Sequence, residues 1–155
     1  MLLCKGVTRY DLIMIAQISG VVIKKGPDFA IIDVGGLGYK VYTTVSAQRL
    51  LKKDENASLY THLSVRENAL DLYGFSDEEE LSIFEMLVSI SGIGPKSARA
   101  ILSITDAATL RGAVAQGDAS TLTKVSGIGK KNTERIIIEL RDKLGVLEEN
   151  SAPIQ

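Results

Sequence analysis

The sequence predicts an α+β protein: a small closed β-barrel at the N-terminal end, followed by a domain built only of helices. Three observations carry that prediction. Short runs rich in Val, Ile and Tyr, separated by Gly, Pro and Asp, fill the first half. After Phe75 the apolar period lengthens from that of a strand to that of a helix. A Gly-Ile-Gly sequence with lysine two positions after it then occurs twice, at Gly92 and again thirty-five positions on at Gly127.

In the first half, strands are expected at Ile15–Ile23, Phe29–Val34 and Tyr39–Val45, with turns at Gly26-Pro27-Asp28 and at Gly35-Gly36. Ser46 is a candidate cap for a short helical turn running to Leu51. Two more strands fit Ser58–Val65 and Ala69–Phe75, joined around Arg66-Glu67-Asn68. Five short strands with one small helix among the connections suit a Greek-key barrel of the OB type. A sandwich would normally need more strands.

In the second half, Ser76-Asp77-Glu78-Glu79 has the spacing of a capping box, and Leu81, Phe84, Leu87 and Val88 then share a helical face. Four successive acids, Asp77 to Glu80, invite a cation-site reading. They also complement the dipole of a first helical turn, which is the expected role. Four segments follow: an extension over 1–13 of unassigned role, the barrel over 14–75, the helical domain over 76–147, and the start of a polar linker or tail over 148–155.

Composition narrows the function. The 155 residues include one cysteine and one histidine, Cys4 and His62, which excludes an internal disulfide, a multi-cysteine metal cluster and any triad needing a second imidazole. No apolar run is long enough to cross a membrane as a helix. The net charge of −1 argues against holding nucleic acid by bulk charge, yet leaves room for a local basic face. Aromatic content is only 5% with no Trp, too little for a base-stacking platform.

The repeat carries the chemistry. Ser91-Gly92-Ile93-Gly94-Pro95-Lys96 matches Ser126-Gly127-Ile128-Gly129-Lys130-Lys131, and Leu87 and Ile90 match Leu122 and Val125. Each unit reads as helix, tight turn, helix. Two glycines permit a hairpin that side chains would block. The hairpin opens directly into a helix, whose unpaired N–H groups and dipole favour an anion. Pro95 stands where a first helical turn can do without its N–H. Ile93 and Ile128 point inward as anchors, and Lys96 and Lys131 flank two equivalent anion sites. From Lys124 to Lys143 the chain adds Lys124, Arg135, Arg141 and Lys143. For Arg99 and Arg135, a DNA contact and a plain surface position stand equal.

A barrel followed by two such hairpins resembles the RuvA family, the Holliday-junction-binding subunit of the bacterial branch-migration complex. The likeness rests on Met14-Ile15-Ala16-Gln17-Ile18-Ser19-Gly20, Val34-Gly35-Gly36-Leu37-Gly38-Tyr39, Leu70-Asp71-Leu72-Tyr73-Gly74-Phe75 and both hairpins, over about residues 14–147. It implies a four-fold tetramer, or a face-to-face octamer, that holds four-way DNA junctions open and square-planar without reading sequence. Gly92, Ile93, Gly94, Lys96, Ser97, Gly127, Ile128, Gly129, Lys130 and Lys131 would then be the phosphate-binding set. Glu67 and Asn68 would form the pin at the junction centre, with Arg66 as its basic neighbour. A RuvB-type motor and a RuvC-type resolvase would be partners, the location the bacterial cytoplasm, and no cofactor is implied.

Two departures stand out. The second pin position, commonly acidic, is Asn68, so a tetramer would carry four pin carboxylates where eight are usual. Family members also continue into a third helical domain that contacts the motor, whereas this sequence stops at Gln155; the expectation is junction binding without normal motor stimulation. An enzyme reading fares poorly: the residues offer no glycosylase pocket, no magnesium carboxylate cluster beyond Asp77–Glu80 and no P-loop. The remaining alternatives are a generic duplex or minor-groove repair module, and a protein-interaction module whose hairpins only pack helices.

Overall fold

Strand-forming runs in the first half meet turn chemistry that fixes where each begins and ends. A computed structural model describes residues 14–124 and 128–150, and the chain divides into two compact units between Leu81 and Ser82. The first unit holds β1 (Gln17–Lys25), β2 (Phe29–Val34), β3 (Leu37–Thr43), the short helix α1 (Val45–Leu50), β4 (Asn56–Arg66) and β5 (Ala69–Phe75).

The strands close into a barrel in the order β1-β2-β3-β5-β4. Every pair is antiparallel except β3 with β5. A parallel pair cannot be joined by a hairpin, so the chain between them carries α1 and β4. β1 serves two neighbours: Gln17–Val21 pair with β4, and Val21–Lys25 pair with β2 across a register shift between Val22 and Lys24. Such an irregularity bends a strand and lets it turn the barrel's corner. Ile18, Val22, Ala30, Ile32, Val41, Leu59 and Leu72 alternate inward and, with Ala47 and Leu51, form the core.

The boundaries show which local signals were misread. β2 and β5 lie where expected. β3 begins at Leu37 because Gly35 and Gly36 both take positive φ, 62° and 92°, and make a two-residue hairpin loop. The α1 cap is Thr44 and not Ser46: its hydroxyl accepts from the Ala47 N–H at 3.2 Å. At the next helix, α2 (Glu78–Val88), the cap is Asp77, which accepts from the Glu80 N–H at 2.8 Å. The Glu80 carboxylate turns back to accept from the Ser76 N–H at 2.9 Å. The box is therefore shifted by one residue from the expected Ser76–Glu79 pair, because Asp77 stands immediately before the first helical residue, Glu78.

The helical unit continues with α3 (Pro95–Ile104), α4 (Ala107–Gln116), a 3-10 turn at Leu122–Lys124 and α5 (Lys130–Asn150). Its buried residues include Leu87, Ile93, Ile101, Leu110, Ile136 and Leu140. Two expectations change here. Before the second hairpin, where a helix was expected, the described residues form only the 3-10 turn: Gly117 ends α4 in the left-handed conformation at φ 70°, and no α-helix resumes by Lys124. At the other end, the polar segment expected from Glu148 is still helical through Asn150. The 1–13 extension with Cys4 lies outside the described residues.

Candidate nucleic-acid interface

The first hairpin is a succession of tight turns. Ile90 N–H donates to Leu87 C=O and Ile93 N–H to Ile90 C=O, both at 3.0 Å. Gly92, third in the latter turn, has φ 85°, a conformation open to glycine and strained for a side chain. Ile93 is 6% exposed, so the hairpin is pinned by its middle side chain and offers only backbone to the outside. Gly94 is the N-cap of α3, with no side-chain cap, and Pro95 follows in the first helical turn. Ala98 N–H makes the first helical bond, to Gly94 C=O at 3.0 Å. The amides of Lys96 and Ser97 come before that bond and have no acceptor within the helix.

The second hairpin repeats the helix start. Thr133 N–H donates to Gly129 C=O at 3.0 Å and its hydroxyl to the same oxygen at 3.2 Å. Ile128 is half-buried and Lys131 exposed, as Lys96 is. Lys130 opens α5. Gly127 falls outside the described residues.

Gly94 and Gly129 leave these helix ends bare. Gly94 has φ −88° and ψ 171°, which any residue adopts. A Cβ added at Gly94 or at Gly129 would meet no described atom within 4 Å. Neither backbone strain nor internal packing calls for glycine there. What the missing side chains leave is free approach from outside to the first amides of α3 and α5. Neither helix has an acid in its first turn. Each instead places a lysine at its second position, against the dipole, where a bound anion would compensate.

Other basic residues are engaged elsewhere. Arg135 Nη2 donates to the Ser91 carbonyl of the first hairpin, and its Nε lies 3.6 Å from Glu139 Oε1. Arg141 Nε donates to Val114 C=O at 3.1 Å. Lys124 is exposed and Arg99 half-buried. The anchoring role of Arg135 is not legible in the sequence, since it spans 44 positions.

The pin candidates sit in the first unit. Glu67 and Asn68 form the exposed two-residue turn between β4 and β5, whose ladder ends at Arg66 opposite Ala69. Arg66 pairs with Asp71, two residues beyond its opposite number and on the same face of the ladder. Sequence reading missed Asp71, although the expected hairpin implies the diagonal. Of the acidic run Asp77–Glu80, two members are consumed in the α2 cap.

A five-stranded barrel joined to paired, glycine-bared helix starts defines a tandem helix-hairpin-helix protein of the barrel-bearing kind. Residues 14–74 match the RuvA N terminal domain, and residues 84–142 match the SAM-like helix-hairpin-helix tandem. Curated relatives named Holliday junction branch migration complex subunit RuvA align over most of the chain. The Trichlorobacter lovleyi protein is 46% identical over 90% of this chain and 70% of its own length. The Pelobacter propionicus protein is 45% identical over 91% and 71%, and the Mycobacterium leprae protein 47% identical over 85% and 65%. The chain belongs to the RuvA family.

Proposed function

We propose that this chain binds four-way DNA junctions without sequence preference, as the DNA-binding subunit of a branch-migration complex driven by a RuvB-type motor. It supplies no catalysis; it holds the substrate. The observation that carries the reading is the pair of glycine helix starts at Gly94 and Gly129, each exposed and each with a lysine at the second position of its helix. Backbone amides there would take one phosphate each, a contact that fixes position on the duplex and ignores base identity. Local geometry thus offsets a net charge of −1.

The finer picture rests on the family. Four copies around a four-fold axis, or eight in two layers, would line each junction arm with a hairpin pair. The Glu67 turns would meet at the centre and repel phosphates there, flanked by Arg66 already neutralised in part by Asp71. A bacterial cytoplasmic location and a RuvC-type resolvase as a further partner belong to the same reading.

A gel-shift titration of a four-way junction against a linear duplex of equal arm composition, with excess competitor duplex at two salt concentrations, tests it. Retention of the junction alone is expected, with Lys96→Ala and Lys131→Ala each lowering the salt slope by about one. Equal affinity for both DNAs would reduce the protein to a duplex clamp. Binding to neither would leave the hairpins as architecture.

A further inference from the structure

We infer that Arg135 is the positioning residue of the first hairpin: from the second repeat, it sets the orientation of the Ser91–Gly92 peptide and so aims the Gly92 amide at a phosphate. This rests on the hairpins' DNA-binding role proposed above. Arg135 lies on α5, yet its guanidinium donates to the Ser91 carbonyl. The same guanidinium lies so close over the turn that a Cβ on Gly92 would sit 3.3 Å from Nη2. Glu139, one helical turn on, faces the Nε at 3.6 Å and restrains the side chain from behind.

The stereochemistry of the peptide does the rest. In a trans peptide the C=O and the following N–H point in opposite directions. Gripping the Ser91 oxygen from the α5 side therefore turns the Gly92 N–H away from α5, and Gly92 is exposed. The grip also removes a hazard, since a free carbonyl beside an anion site would repel the phosphate. Arg135 brings a positive charge to the same place.

The arrangement runs in one direction only. The residue equivalent to Arg135 in the first repeat is Ala100, which cannot reach back to the second hairpin. The first hairpin is thus held by a side chain of the second repeat, while among the described residues of the second the bonds are the local ones of Thr133 to Gly129.

Two measurements on Arg135→Ala, Arg135→Lys and Glu139→Gln decide the point. In the free protein, amide exchange at Ile93 should rise about tenfold in Arg135→Ala with Thr133 unchanged, since one local opening is being released. Equal acceleration at both amides, or at neither, overturns the clamp whatever DNA does. In junction binding, Arg135→Ala should weaken affinity about tenfold and couple more strongly with Lys96→Ala than with Lys131→Ala, its neighbour four residues back on α5. Arg135→Lys, which keeps the charge but loses the fork, should recover only part of the loss, and Glu139→Gln should cost about threefold. Full recovery by Arg135→Lys, or equal coupling to both lysines, would show a simple charge effect and overturn the positioning role. If the unaltered protein holds no DNA, the proposed function falls, while the exchange measurement still decides the clamp.

Discussion

Four helices after the barrel begin in two opposite ways. α2 and α4 start on carboxylates: Asp77 caps the first, with Glu78, Glu79 and Glu80 in its opening turn, and Asp106 caps the second by accepting from the Thr109 N–H at 2.7 Å. α3 and α5 start on glycine, lack any acid in the first turn and put Lys96 and Lys131 at the second position. Acids at a helix start are worth about 0.3–1 kcal/mol each, and cations there cost a similar amount. The chain uses this rule at two helix starts and reverses it at the two that carry the hairpins. α3 and α5 thus leave their first amides without the internal carboxylate that α2 and α4 receive, as the proposed phosphate contact requires.

Reversing the charge should break that contrast most severely. Lys96→Glu combined with Lys131→Glu is expected to weaken junction binding at least about a hundredfold, by losing two cations and adding two repulsive charges. Thermal unfolding of the same variant should show stability unchanged or raised by about 1 kcal/mol, because acids now complement both dipoles. A large destabilisation would mean that the lysines serve the fold.

Filling the bare cap comes next. Gly94→Ala should reduce affinity about tenfold, as a methyl group stands between the phosphate and the amides. Its stability should shift by less than about 0.5 kcal/mol, since the poorer cap is offset by lower unfolded-state entropy. Calorimetry alongside titration separates these effects; loss of both stability and binding would refute the argument from open space.

The acid-capped helices give the converse. Asp106→Ala should cost about 1 kcal/mol of stability and leave DNA binding alone. Hydrogen bonds from the Thr109 amide and then its side chain hold the Asp106 carboxyl below the ordinary carboxylate value. Its contribution is therefore complete above about pH 4, where the unfolded group is ionised, and is lost as pH falls through the lowered value. Denaturant midpoints followed downward from pH 5 should fall less steeply in the variant than in the parent.

The smallest effect is expected at the β4–β5 turn. Asn68→Asp would add a carboxylate beside Glu67 in each copy, and junction affinity should drop about two- to threefold through repulsion at an exposed, screened site. No change in titration or in branch-migration assays would argue against a pin role for this turn.

Legibility varied with the range of the interaction that decides each feature. Strands Phe29–Val34 and Ala69–Phe75 could be read in advance because turn residues bound them directly. The caps at Thr44 and Asp77 were missed by one or two positions, since several candidate oxygens stand in a row and only the path of the chain selects among them. The 3-10 turn that stands among the described residues before the second hairpin, in place of the expected helix, follows Gly117, whose left-handed stop the repeat pattern conceals.

The two glycine-started helices followed from local pattern alone, because glycine and lysine at fixed spacing act through the neighbouring backbone. Only the tertiary structure decided that β3 and β5 meet in parallel, that Arg66 is answered by Asp71, and that Arg135 grips Ser91 from 44 residues away. These contacts depend on where distant segments come to rest, and no local pattern encodes that position.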